Sequence, residues 1–336
     1  MTTPSISTTE LYTHIDTLLS TDTPLFIHGS PGIGKSYIVA DVAKNNGLEL
    51  VDVRLSQMDP VDLRGVPSIK DNQTVWMPPV FFPKDKDSEG ILFLDELNAA
   101  PPSVQAAIYQ LVLNRQMGEY ILPKGWRIIC AGNRVSDRGV VFRMPTPLAN
   151  RMVHLHVQAR FDDFKLFAIK SGLHSFIIGF LGFRPDLLST DPVVEDDANP
   201  AFATPRSYHM LSNILNAKDD IKSISSIIYG TIGYSAGIEF VSYVKVYEEL
   251  SDIASIYEGH YPDIDNQPAL LYALVSALVE YFDGSDKHKE HLFKFSETLP
   301  TEFGVMLIKD IIIKDESIAT HAAFDAWLAK YGEYII

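Results

Sequence analysis

The sequence predicts an α/β fold, a parallel sheet with helices on both faces, followed by an all-helical half. Three observations carry the prediction. Up to about residue 158, short apolar runs alternate with helical stretches, the order a doubly covered parallel sheet produces. A glycine-rich loop, Gly29-Ser30-Pro31-Gly32-Ile33-Gly34-Lys35-Ser36, lies between one such run and a helical pattern. After residue 158 no convincing strand pattern appears.

In order, Thr9 to Leu19 has helical spacing, and the turn Thr21-Asp22-Thr23-Pro24 leads into the apolar run Pro24–His28. Tyr37 to Ala43 is helical, and Leu48–Leu55 alternates as a second strand. Asp59 to Pro83 carries prolines, a turn at Gly65 and a β-like piece, Gln73–Met77, and reads as an insertion holding a hairpin. Ile91–Glu96 is a buried strand ending in two acids. Pro102 to Leu113 follows as a helix with proline in its first turn. Gln116 to Lys124 reads as a hairpin, and Trp126–Ala131 and Met152–Val157 as further strands. Beyond them Phe161–Ser171, Pro205–Leu215, Ile221–Tyr229 and Gly237–Leu250 are helices. A turn-rich patch, Gly259–Pro268, precedes a last helical block ending near Tyr331. The Thr/Ser-rich first residues are expected to be disordered. Gly230, Gly233 and Gly237 are assigned to close helix packing rather than to a ligand loop.

The strand-loop-helix context is what makes the glycine loop chemical. Glycines let successive N–H groups converge on one anion, and the first helical turn adds its own unpaired N–H groups and positive end. Gly29 to Ser36, with Tyr37 just after, form the expected phosphate cradle for a nucleoside triphosphate. Lys35 can reach the β- and γ-phosphates, and the Ser36 hydroxyl can take a Mg²⁺ position.

Asp95 and Glu96 end a strand, at the sheet edge where open α/β folds bind ligands. Asp95 is expected in the Mg²⁺ shell, and Glu96 polarises the attacking water. The pair could instead be helix-capping acids ahead of Asn98 and Pro101. Asn133 ends the next strand, where its amide can bond both the water and the γ-phosphate, or simply start the turn. Asn98 is expected either to steer Glu96 or to cap the helix at Pro101.

Composition excludes several classes. The chain has 336 residues and a net charge of −15, which argues against a general nucleic-acid binder. Its single cysteine, Cys130, lies in an apolar run and reads as a buried thiol rather than a nucleophile. With no internal disulfide possible and no signal peptide, a cytoplasmic protein is expected. The longest apolar stretches are too short for a membrane span.

The ordered set GSPGIGKS, ILFLDELN, AGN, PLANRM and ATPRS resembles the AAA+ ATPases, and within them the MoxR-like branch, over about residues 20–215. DELNAAPPSVQAAIYQLV is similar to that branch's helix after the second acid motif. The turn at Asp62–Pro67 and the hairpin Arg115–Lys124 are similar to its two inserts. The resemblance implies an AAA+ nucleotide-binding domain over residues 1–158, a helical lid over 159–255 and a C-terminal helical extension over 256–336. It implies that Arg151 is an arginine finger reaching a neighbouring subunit's γ-phosphate, and that Arg206 is the lid arginine, acting in cis or in trans. Arg134, Arg138 and Arg143 are further candidates for subunit contacts. The branch commonly has an arginine where this chain has Ala99, which shifts weight to Arg134 or Arg138.

The expected activity is therefore Mg²⁺-dependent ATP hydrolysis by a ring, a hexamer. The ring would remodel a partner protein of the kind that carries a von Willebrand factor A domain. Trp76, Phe81 and Phe82 are assigned to local packing, with the Lys84–Ser88 loop as an equal candidate for lining a pore. Three rivals stay open: a nucleic-acid motor or loader, a restriction-type GTPase of the same branch, and a small-molecule kinase needing neither Arg151 nor a ring.

Overall fold

The computed structural model describes residues 4–134, 142–190, 200–218, 220–248, 250 and 252–334. The chain divides into two units, residues 1–158 and 159–336.

The first unit is built on a parallel sheet. Its strands are β1 (Ser5–Ile6), β2 (Leu25–His28), β3 (Glu49–Arg54), β6 (Glu89–Asp95), β9 (Gly125–Gly132) and β10 (Val153–Val157). Among the described residues they run in the order β1-β10-β2-β9-β6-β3, every pair parallel. Ile91 to Leu94 and Ile128 to Ala131 are buried on both faces, which explains why these strands read as continuous apolar runs rather than alternating ones. Phe26, Leu92, Leu94, Ile128 and Cys130 point to one face, against Val104, Ile108 and Leu111 of helix α4 (Pro102–Asn114). Helices α1 (Thr8–Leu19) and α2 (Lys35–Asn45) serve the other face, α2 packing on β3 and β6 and α1 on β10. Ser7 caps α1 through a reciprocal bond pair with Glu10, a device worth about 1 kcal/mol.

The expected disorder at the N-terminus is corrected in part: Ser5 and Ile6 add an edge strand beside His156 and Val157. The insertion holds a short helix, α3 (Pro60–Arg64), then β4 (Val66–Lys70) and β5 (Gln73–Met77), an antiparallel hairpin that forms its own sheet. Phe82 is buried and stacks on Tyr120, and Phe81 is partly buried beside it, as expected of packing residues. Trp76 is not packed. It is 41% exposed, and Ile69 on the same hairpin is 83% exposed, because neither face of this ribbon meets the core. A second small hairpin pairs β7 (Gln116–Met117) with β8 (Tyr120–Ile121).

The second unit, by itself, has no strand among the described residues. Helices Phe161–Lys170, Ser175–Phe183, Pro205–Ala217, Ile221–Ile232 and Tyr234–Tyr247 enclose Phe180, Tyr208, Leu211, Ile228 and Phe240. A neighbouring core gathers Leu274, Leu278, Phe295, Leu307, Ile311 and Trp327 from the helices that follow. Lys165 and Asp310 form a buried ion pair at 2.7 Å. Gly237 packs as expected, since a Cβ there would lie 2.5 Å from the Tyr229 ring. Gly230 does not: a Cβ there meets nothing within 4 Å. Among the described residues no helix is long and apolar enough to cross a membrane.

Candidate nucleotide site

Strand order creates the site. His28 of β2 lies opposite Gly132 of β9, and Cys130 of β9 lies opposite Leu94 of β6. The residues after these positions, Gly29, Asn133 and Asp95–Glu96, therefore emerge together at the carboxyl edge of the sheet. They are far apart in sequence and adjacent in space.

The loop from Gly29 to Ser36 has the backbone a cradle requires. Gly32 and Gly34 have φ of 78° and 98°, left-handed values that side chains resist. Gly34 precedes α2 without a side-chain cap, so the helix's first N–H groups are not covered by one. Ile33 is buried and pins the loop, whereas Tyr37 is 54% exposed.

Lys35 lies across this loop. Its Nζ donates to Gly29 O at 2.7 Å, Ser30 O at 3.1 Å and Asn133 Oδ1 at 3.3 Å. Ser36 Oγ donates to Asp95 Oδ2 at 3.0 Å, and Glu96 N–H donates to Asp95 Oδ1 at 2.9 Å. The groups proposed for triphosphate, metal and water thus share one edge. The hydroxyl and carboxylate already in contact are oxygen donors of the kind a hard divalent cation takes, and the glycine loop offers N–H groups to an anion.

Glu96 shows what the sequence did not. It has φ of 59°, a strained value for a non-glycine residue, and its carboxylate accepts a bond from Ser56 Oγ. Arg54 Nε lies 3.8 Å from its other oxygen. Ser56 follows β3, the strand paired with β6, with Arg54 opposite Asp95. On the same strand Asp52 is pushed above the usual carboxylate range, first by burial and then by the negative charge of Asp95.

The capping expectation for Asn98 does not hold: the N-cap of α4 is Pro101, and the Asn98 Nδ2 instead donates to Asn133 O at 2.7 Å. Arg134 reaches its own chain's loop, donating to Ser30 Oγ. Arg138 lies outside the described residues, and Arg143 is exposed.

Arg151 stands exposed just after the short helix α5 (Thr146–Ala149), and its Nη1 donates to Pro147 O at 3.1 Å within its own turn. It is not brought onto the loop. The turn is nonetheless tied to the loop's strand. His154 Nε2 bonds Ala149 O at 2.8 Å, so it carries the proton and leaves Nδ1 to accept from His28 Nε2 at 2.9 Å. His28 stacks on His156 at 4.4 Å. Burial, then the neighbouring His156 and His154, then Lys35, lower the pKa of His28 to about 3, so the ring is neutral at physiological pH. Arg206 belongs to the second unit, exposed in the first turn of Pro205–Ala217, whose N-cap Thr204 is held in a reciprocal bond pair with Ser207.

Comparison with known proteins agrees with this geometry. Residues 24–152 match the AAA domain of the dynein-related subfamily. A stretch of 142 residues is 32% identical to midasin of Giardia intestinalis, covering 40% of this chain and 3% of that protein. The chain thus spans a small fraction of that relative's length. Among solved structures, NtrX from Brucella abortus aligns with a TM-score of 0.35 and 16% identity, covering 99% of this chain and 69% of that one. The Thermotoga maritima RuvB Holliday junction branch migration motor aligns at 0.37 and 14%, covering 81% and 80%. Similarity that low carries no statement about activity. The domain match and the six-stranded parallel sheet agree that the first unit has the AAA+ P-loop NTPase fold, an ATPase domain.

Proposed function

We propose that this chain is a Mg²⁺-dependent ATPase of the MoxR-like kind, working as a hexameric ring that remodels a partner protein. One observation carries the catalytic part: Lys35 contacts Asn133 while Ser36 contacts Asp95, joining three strand ends into one centre. In this reading the loop N–H groups and Lys35 hold the triphosphate of ATP. Ser36 and Asp95 would hold Mg²⁺, which when bound offsets phosphate charge. Glu96 accepts the proton of the attacking water as its oxygen bonds to the γ-phosphorus, and the bond to the β-phosphate oxygen breaks. Asn133 orients that water. To do its part, Glu96 exchanges its bond to Ser56 for one to water.

Arg151, exposed on its own turn, is suited to act in a neighbouring copy rather than its own, which is what makes a ring necessary. Arg206 is assigned to the lid on its Thr204-Pro205-Arg206 motif. Residues 159–255 as lid and 256–336 as extension complete the reading. A partner carrying a von Willebrand factor A domain and a cytoplasmic setting rest on the resemblance and on the cysteine usage. The net charge of −15 favours a protein client over nucleic acid.

The test is a pair of substitutions. Lys35→Ala is expected to lose nucleotide binding, while Glu96→Gln keeps it and loses turnover by about 10²–10⁴-fold. Wild-type turnover in Glu96→Gln overturns the role given to that carboxylate. Affinity capture with Glu96→Gln in ATP then identifies the client and the mass of the assembly.

A further inference from the structure

We propose that Asn98 is a positioning residue that sets the pose of Asn133 for hydrolysis, an inference that rests on the ATPase reading above. Several contacts meet at this residue. Its Nδ2 donates to the Asn133 carbonyl at 2.7 Å. Its own carbonyl accepts from Phe142 N–H at 2.7 Å, on the segment leading toward the Arg151 turn. Its Oδ1 is buried and, among the described residues, has no hydrogen-bond partner. That oxygen presses toward Gly132, where a Cβ would stand 2.0 Å away.

A buried acceptor without a partner costs stability, and a small apolar side chain would avoid that cost. Packing alone therefore does not account for an asparagine here. What the side chain supplies is direction. It fastens the turn after β6, which carries Asp95 and Glu96, to the end of β9, where the Asn133 amide meets Lys35 at 3.3 Å. Gly132 leaves the room that the Asn98 amide occupies, so glycine, asparagine and the strand end form one unit. A hydrogen-bonding group displaced by about 1 Å at a reacting centre can cost on the order of 100-fold in rate. Asn98 holds Asn133 against such a displacement without touching nucleotide itself.

The experiment compares steady-state ATP turnover, nucleotide affinity and Tm for the full chain, Asn98→Ala, Asn133→Ala and the double variant. Asn98→Ala is expected to bind nucleotide within about threefold of wild type and to keep its Tm within about 4 °C, while turnover falls roughly 10- to 100-fold. Added to Asn133→Ala, it is expected to cost nothing further, because the amide it positions is gone. Asn98→Leu, which keeps the branched shape and loses the donor without burying a charge, should show the same split and decides the matter if the alanine variant does not fold.

A purely structural role lowers affinity, Tm and turnover together, and that result overturns the proposal. So does turnover within about twofold of wild type in Asn98→Ala, or losses that multiply with Asn133→Ala. Wild-type turnover that Asn133→Ala destroys and Asn98→Ala spares overturns this inference alone. Wild-type protein that splits no ATP overturns the parent reading as well.

Discussion

Both units bury charge, but they anchor it differently. At the sheet edge, Lys35 is 9% exposed and rests on two carbonyl oxygens and an amide oxygen, while Asp95, 6% exposed, takes a hydroxyl and a backbone N–H. In the helical unit, Lys165 and Asp310 rest on each other. Burial still pushes Asp310 up to about 6, with Lys165 pulling back only part of that. Neutral anchors fix a charge in position, whereas a mutual pair cancels it. The first arrangement suits a site that must meet a charged ligand, the second a core that must not.

The comparison can be broken at several points. The largest effect is expected from Arg151→Ala, which should bind ATP normally and lose on the order of 10³-fold or more in turnover. Mixing it with Lys35→Ala subunits should restore part of the activity, and no recovery at any ratio would count against a finger working in trans.

Next comes Lys165→Ala, which strands a buried carboxylate and should cost about 3–5 kcal/mol of stability in denaturant titrations at pH 8. Asp310 has a folded pKa above the ordinary carboxylate value. Its contribution is therefore fully present below about pH 4 and lost as pH rises through about 6. The penalty of Lys165→Ala should accordingly shrink at pH 5, where Asp310 can take a proton. Turnover per folded molecule should change by less than about twofold. Lost turnover in a stable Lys165→Ala protein would erase the contrast between the two units.

The smallest effect concerns His28. Its folded pKa is depressed to about 3, so an unfolded chain takes up the proton first, and stability present above about pH 6.5 declines as pH falls toward 3. His28→Gln should therefore lose less Tm than wild type between pH 7.5 and 4.5. Equal losses would mean that the neutral ring is not a source of acid sensitivity.

Much of the sheet edge was legible because its signals are local. The loop, Asp95 and Asn133 each sit at the end of an apolar run, and a strand end needs no distant partner to be recognised. The restraint on Glu96 was not legible, since Ser56 becomes its neighbour only once β3 pairs with β6. The link from Asn98 to Asn133 depends in the same way on β9 lying beside β6. Trp76 misled for a different reason: an apolar side chain predicts burial only where some surface comes to cover it, and the β4–β5 ribbon stands by itself. Gly230 shows that a glycine near Gly237 need not share its reason, since a Cβ at Gly237 meets the Tyr229 ring and one at Gly230 meets nothing.

Cys130 lies in the middle of β9, fully buried, its thiol pushed up to about 12 by desolvation. A thiol in that state hardly reacts at neutral pH unless the sheet opens. As the chain's single cysteine, it is a built-in stopwatch: the speed at which an alkylating reagent marks the intact protein counts openings of the nucleotide unit. Tight ATP analogues should slow that clock in proportion to how firmly they grip the strand ends around it.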